Sequence, residues 1–151
     1  SGIFDVAADR PHHPLEYWVF STTRWHSVDT RAADIEIPAD LDKPARIHSG
    51  ARLYDEMCAQ CHLRPGMEPT ALHQGLNPEP PLLDEWSEEP GYTFLIVKRG
   101  VRSTGMPAWG ATHDDAALWD VVAFQRQMPD LTAREYEAMV RDAEQDAGHE
   151  H

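Results

Sequence analysis

The sequence predicts an all-α fold, with helices wrapped around long proline-rich loops. Three observations lead there. From residue 42 onward, helix-starting and helix-stopping residues recur in regular order. The last such segment, "LTAREYEAMVRDAEQDA", opens on a capping box, with Thr132 as cap and Glu135 three residues on. Between two of the helical segments, Pro65, Pro69, Pro78, Pro80 and Pro81 break residues 63–89 into loop. A connection that long is uncommon in a small domain unless something orders it, which points to a large bound group.

Taken in order, "RPHHPLEYWVFSTTRWHS" predicts a short helix beginning near Pro14, a good first-turn residue. Leu15, Trp18, Val19 and Thr22 share one face of it, with Trp25 nearby. "ADIEIPADLDKP" reads as an extended connector. Asp42 is a candidate cap for the next helix, "ARIHSGARLYDEMC", after Pro44; Gly50, Tyr54 and Cys58 lie on one of its faces. Periodicity leaves "GYTFLIVKRG" open between helix and strand, and its helical neighbours favour helix. Thr112 or Asp114 starts "DDAALWDVVAFQRQM", with Leu118, Val121, Val122 and Gln125 on one side, Trp119 flanking it and Pro129 as the stop. Leu131 and Tyr136 are placed to form a hydrophobic staple at the final helix. The expected division is an N-terminal extension over residues 1–43, a main domain over 44–141 and a disordered acidic tail over 142–151.

Composition narrows the function. With 151 residues, 41% of them apolar, the chain holds enough for one domain and an appendage. Thirteen basic residues against 26 acidic ones give a net charge of -13. That balance excludes a nucleic-acid footprint and disfavours an anionic membrane surface. The expected partner presents a positive patch, and association with it should slow as salt rises. No apolar run reaches the ~20 residues of a membrane helix, and the first residues lack a signal-peptide pattern.

"MCAQCHLRPG" contains both cysteines of the chain, Cys58 and Cys61, with His62 following. Four readings compete. A zinc site lacks further cysteine ligands. A thioredoxin-like pair belongs at a strand-to-helix junction, whereas this pair ends a helix. A disulfide across two residues closes a tiny loop and adds little stability. The fourth reading is the attachment sequence of a c-type haem. Two thiols add to the two vinyl groups on one porphyrin edge, and the histidine reaches under the plane to the iron.

A haem iron held by His62 takes a sixth ligand unless a site stays open for substrate. "RGVRSTGMPAWG" offers one: Met106 stands between Gly105 and Pro107, in a stretch without helical pattern. A thioether on a turn, fixed by the following proline, reaches iron from the opposite face. Met128 and Met139 lie in helices, where core filling is the better reading.

With these motifs in view, residues from about Pro44 to about Val140 resemble a class I c-type cytochrome. The carriers are Gly50 and Tyr54 before "CAQCH", then "GMPAWG" and "ALWDVVAF". The resemblance implies one covalently bound haem c within a cytochrome c-like helical domain, held by Cys58 and Cys61 and ligated by His62 and Met106. It further implies that the helix around Gly50 crosses the helix around Trp119, glycine admitting the aromatic ring. A loop proline carbonyl should accept a hydrogen bond from His62 Nδ1; Pro81 is the better match and Pro65 its competitor. "LRPGMEPTALHQGLNPEPP" departs from the glycine-rich loop of typical members, which alters the expected loop path but not the haem.

Iron with both axial positions filled specifies outer-sphere electron transfer. The expected function is one-electron transfer between periplasmic or membrane redox partners. A haem subunit of a larger dehydrogenase or oxidase, and a haem enzyme or sensor with a displaceable methionine, are the alternatives. The resemblance implies an extracytoplasmic, periplasmic setting, since haem is attached by this motif outside the cytoplasm. "SGIFDVAADRPH" is similar to the juncture after an N-terminal membrane anchor in related bacterial cytochromes, so an anchor absent from this chain belongs to the expectation. His12, His13, His26 and His48 admit two readings, a copper or zinc site or histidines on a helix packed over the haem domain. Arg99, Arg102 and Trp109 lie near enough in sequence to Met106 to meet haem propionates, and a solvated pair and a core ring explain them equally well.

Overall fold

The computed structural model describes residue 7 and residues 9–84 and 88–148. All regular elements among them are helical. Helix α1 is Pro14–Ala32, α2 Pro44–Met57, α3 Ala59–His62, α4 Ala71–Gly75, α5 Pro90–Arg99, α6 Asp115–Gln125 and α7 Ala133–Ala147. Single 3-10 turns cover Trp109–Ala111 and Met128–Asp130.

Starts and stops follow local chemistry. Pro44 and Pro90 occupy the first turns of α2 and α5, where a missing N–H costs nothing. Asp114 caps α6 by accepting from Ala117 N at 2.9 Å, and Thr132 with Glu135 closes the capping box of α7. Lys43, not Asp42, stands at the cap of α2. Asp42 is drawn off to an ion pair with Arg126.

The core rests on the crossing of α2 over α6. A Cβ at Gly50 would stand 1.9 Å from Asp120 O and 2.8 Å from Phe124 Cβ, so only glycine allows this approach. Arg46 spans the same crossing, 3.0 Å from Asp40 and 2.7 Å from Asp120. The aromatic ring at the crossing is Phe124, not Trp119. Tyr54 and Phe124 pack with centroids 5.6 Å apart, while Trp119 stacks on Phe94 at 4.1 Å. The reason is helical phase: Phe124 lies one turn beyond Asp120, on the strip facing Gly50, whereas Trp119 turns toward α5.

Two buried clusters result. One gathers Tyr54, Cys58, Phe124, Met128, Tyr136 and Val140; the other gathers Leu41, Phe94, Val97, Leu118, Trp119 and Val122. Met57 packs against both. Leu131 borders the first cluster beside fully buried Tyr136, the geometry of a staple.

Three expectations change in extent. The first helix is not short but 19 residues long. It is anchored by Trp25 stacked on Tyr92 at 5.3 Å, while Leu15, Trp18 and Val19 stay exposed. Residues 63–89 contain α4, capped by Thr70. The tail was expected to be disordered from 142, yet α7 continues to Ala147 because Val140 and Ala143 keep its inner face buried. His149 and His151 lie outside the described residues.

Candidate functional site

Cys58 ends α2 and Cys61 lies within α3, on the next turn. Cys61 N and His62 N both donate to Cys58 O, at 3.1 and 2.9 Å. The two thiols are free, Cys58 buried and Cys61 half-buried. Burial, then the neighbouring Cys61, pushes the Cys58 thiol up to about 12. Burial raises Cys61 as well.

His62 Nδ1 lies 2.8 Å from Pro81 O. A carbonyl only accepts, so the ring proton sits on Nδ1 and Nε2 presents its lone pair. Burial holds the ring's pKa below the ordinary histidine value; the bond to Pro81 opposes that, and nearby His73 adds to it. Pro65 makes no such bond. The structure thus brings Cys58, Cys61, His62 and Pro81 together at the edge of the first core cluster.

Met106 packs against the second cluster. Its turn is fixed by local bonds: Met106 N donates to Thr104 Oγ1 at 3.1 Å, and Val101 N donates to Met106 O at 3.2 Å. Gly100, at φ +63°, begins this loop; a Cβ there would stand 2.7 Å from Met106 O and Pro107. Arg99 and Arg102 are exposed.

The α3 turn is capped in a way that sequence pattern does not reveal. A helix end leaves its last carbonyls without intrahelical donors. Here side chains supply them: Thr70 Oγ1 donates to Gln60 O at 2.6 Å, and His73 Nδ1 donates to Cys61 O at 2.6 Å. Tyr54 OH donates to Leu63 O at 2.9 Å. Burial, then the Cys58 thiol, drives the Tyr54 ionisation far above the usual phenol range, so its hydroxyl stays a donor. Leu63 adopts φ 61° here, a left-handed turn that few branched residues accept. The available signal for Thr70 and His73 was a cap residue and a histidine three positions on, hidden in a stretch that reads as loop.

His12 and His13 of the extension and His48 of α2 make local contacts. His13 caps α1 by accepting from Leu15 N, His12 meets Phe20 edge-on at 5.9 Å, and His48 lies 3.8 Å from Asp146. Among the described residues no group of three or more His, Cys, Asp or Glu side chains could hold a metal ion. The copper or zinc reading therefore has no ligand set there.

The donor set fits a covalently attached haem. Two unpaired thiols on adjacent turns suit addition to the two haem vinyl groups, and an imidazole with a free Nε2 and a thioether on a braced loop are donors suited to haem iron. In addition, Trp109 Nε1 is buried with no hydrogen-bond partner. Such a donor needs an acceptor, and haem brings two propionate carboxylates.

Comparison with known proteins agrees with this chemistry. The model of the family described as cytochrome C oxidase, cbb3-type, subunit III matches residues 45–124, from the start of α2 to near the end of α6. No curated protein and no solved structure matches the chain. The helical fold, the thiol pair and that match lead to one conclusion: the chain belongs to the family of cbb3-type cytochrome c oxidase subunit III, c-type cytochromes that transfer electrons through a covalently bound haem c.

Proposed function

We propose that haem c would be held by thioether bonds from Cys58 and Cys61, with His62 Nε2 and Met106 Sδ as its iron ligands, in a one-electron carrier serving periplasmic or membrane redox partners. The observation that carries this reading is the His62 ring. Its Nδ1 is committed to Pro81 O, 2.8 Å away, which leaves Nε2 for iron on the same turn as both thiols. Bound haem supplies the one-electron couple.

The chain's own residues set the conditions. The Pro81 carbonyl orients the His62 ring and raises its basicity. The bond from Met106 N to Thr104 Oγ1 and that from Val101 N to Met106 O hold Met106 on a fixed turn, so the thioether needs no rearrangement between oxidation states. Residues 44–141 form the haem-binding unit, and 1–43 an extension whose helix α1 packs against α5. A net charge of -13 favours partners that present a positive patch.

Carbon monoxide tests the reading against a haem enzyme or sensor. Added to the reduced, haem-loaded protein, it should leave the absorption spectrum unchanged, because both axial positions are filled. Formation of a carbon monoxide adduct supports the open-site alternative instead. A second reading, a haem module fixed within an oxidase, is favoured by the family's own description. It predicts the same ligands and the same spectra, and differs in partner.

A further inference from the structure

His73 is a buried polar side chain, with 4% of its surface exposed. Both its ring nitrogens are engaged. Nδ1 donates to Cys61 O at 2.6 Å, and Nε2 lies 3.2 Å from Glu79 Oε1. Its backbone N–H donates to Thr70 Oγ1 at 2.9 Å, and the same hydroxyl donates to Gln60 O. One ring therefore ties the attachment turn to the segment that carries the Pro81 carbonyl, for Glu79 stands two residues before Pro81. Nothing else among the described hydrogen bonds joins residues 77–80 to α3. A surface histidine needs no such pair of partners, and a core filler would be apolar.

We propose that His73 is a positioning residue for electron transfer: by clamping Cys61 O to Glu79 it holds the Pro81 carbonyl in register under His62 and so sets the reduction potential. This rests on the ligation of iron by His62 proposed above. The physical chain is short. A firm Nδ1–H···O bond gives the imidazole anionic character and favours ferric iron. Loosening the clamp lengthens that bond, weakens the ligand's donation and favours ferrous iron, so the potential rises.

The test uses haem-loaded protein and two readouts, the midpoint potential and the solvent exchange of the His62 Nδ1 proton followed by NMR. His73→Leu removes both bonds. It should raise the potential and speed exchange of that proton on the order of tenfold, an opening free energy of about 1.4 kcal/mol less. His73→Asn retains a donor at the Nδ1 position and should recover most of the wild-type behaviour. Glu79→Ala changes a side chain 74% exposed, so the fold is safe, and should shift both readouts in the same direction by less. If His73→Leu fails to load haem, Glu79→Ala and His73→Asn still decide. A merely structural His73 would lower thermal stability and leave both readouts at wild-type values in all three variants, which overturns the proposal. Absence of a slowly exchanging His62 Nδ1 proton in the wild-type protein would instead sink the ligand assignment itself.

Discussion

A Cys58→Ala/Cys61→Ala double variant is expected to retain no haem through acidified-acetone extraction or on a denaturing gel stained for haem peroxidase activity. Each single variant should retain haem through its remaining thioether. The two sulfurs stand on adjacent turns and neither is paired with the other. Among the described residues no group of three or more His, Cys, Asp or Glu side chains could hold a metal ion around them. Loss of the haem should also loosen residues 63–89. Among its described residues that segment has only the short α4 of its own, and it bears Pro81. Faster proteolysis there, with α2 and α6 still protected, is the accompanying expectation. Haem surviving extraction in the double variant would return the cysteines to a structural role.

Gly50→Ala should be the most damaging single methyl in the chain. Its Cβ would fall 1.9 Å from Asp120 O, a backbone atom that cannot swing aside as a side chain does. Helices α2 and α6 must separate, and with them the Arg46 bridge to Asp120 and the contact of Tyr54 with Phe124. Overpacking in a core costs 1–3 kcal/mol, more against rigid backbone, so a loss of about 3 kcal/mol is expected. That is a large part of a domain's usual net stability. Urea unfolding of the haem-loaded variant checks it, through a lowered midpoint at unchanged slope. A loss under about 1 kcal/mol would mean that the crossing is looser than described.

How much of this was legible in the sequence varied by residue, for physical reasons. Capping boxes and first-turn prolines are local signals, so Thr132 with Glu135 and Pro44 marked their helices correctly, and of Thr112 and Asp114 it is Asp114 that caps α6. "GYTFLIVKRG" is helical because it is buried on several sides between α1 and α6, and a helix buried that fully shows no stripe to read. Gly50 was readable as a close-approach site, but its neighbour was not. The step from Trp119 to Phe124 is a matter of helix phase at the crossing, which no motif carries. Asp42 looked like a cap because it precedes Pro44, and a distant arginine claimed it. The thiol pair and His62 were readable as a candidate attachment site because that chemistry fixes residue type and spacing, and Met106 as a candidate ligand because it stands on a turn before Pro107. Thr70 and His73 did not, because their role is to satisfy particular carbonyls, and which carbonyls are orphaned depends on the fold.

The most direct test of His62/Met106 ligation is the absorption spectrum of the oxidised protein beside that of Met106→Ala. The wild-type protein should show the weak red-end band that reports methionine sulfur on ferric haem iron. In Met106→Ala that band should vanish, and the potential should fall as the thioether is lost. A wild-type spectrum without the band, or a band that survives the substitution, would mean that Met106 is not on the iron.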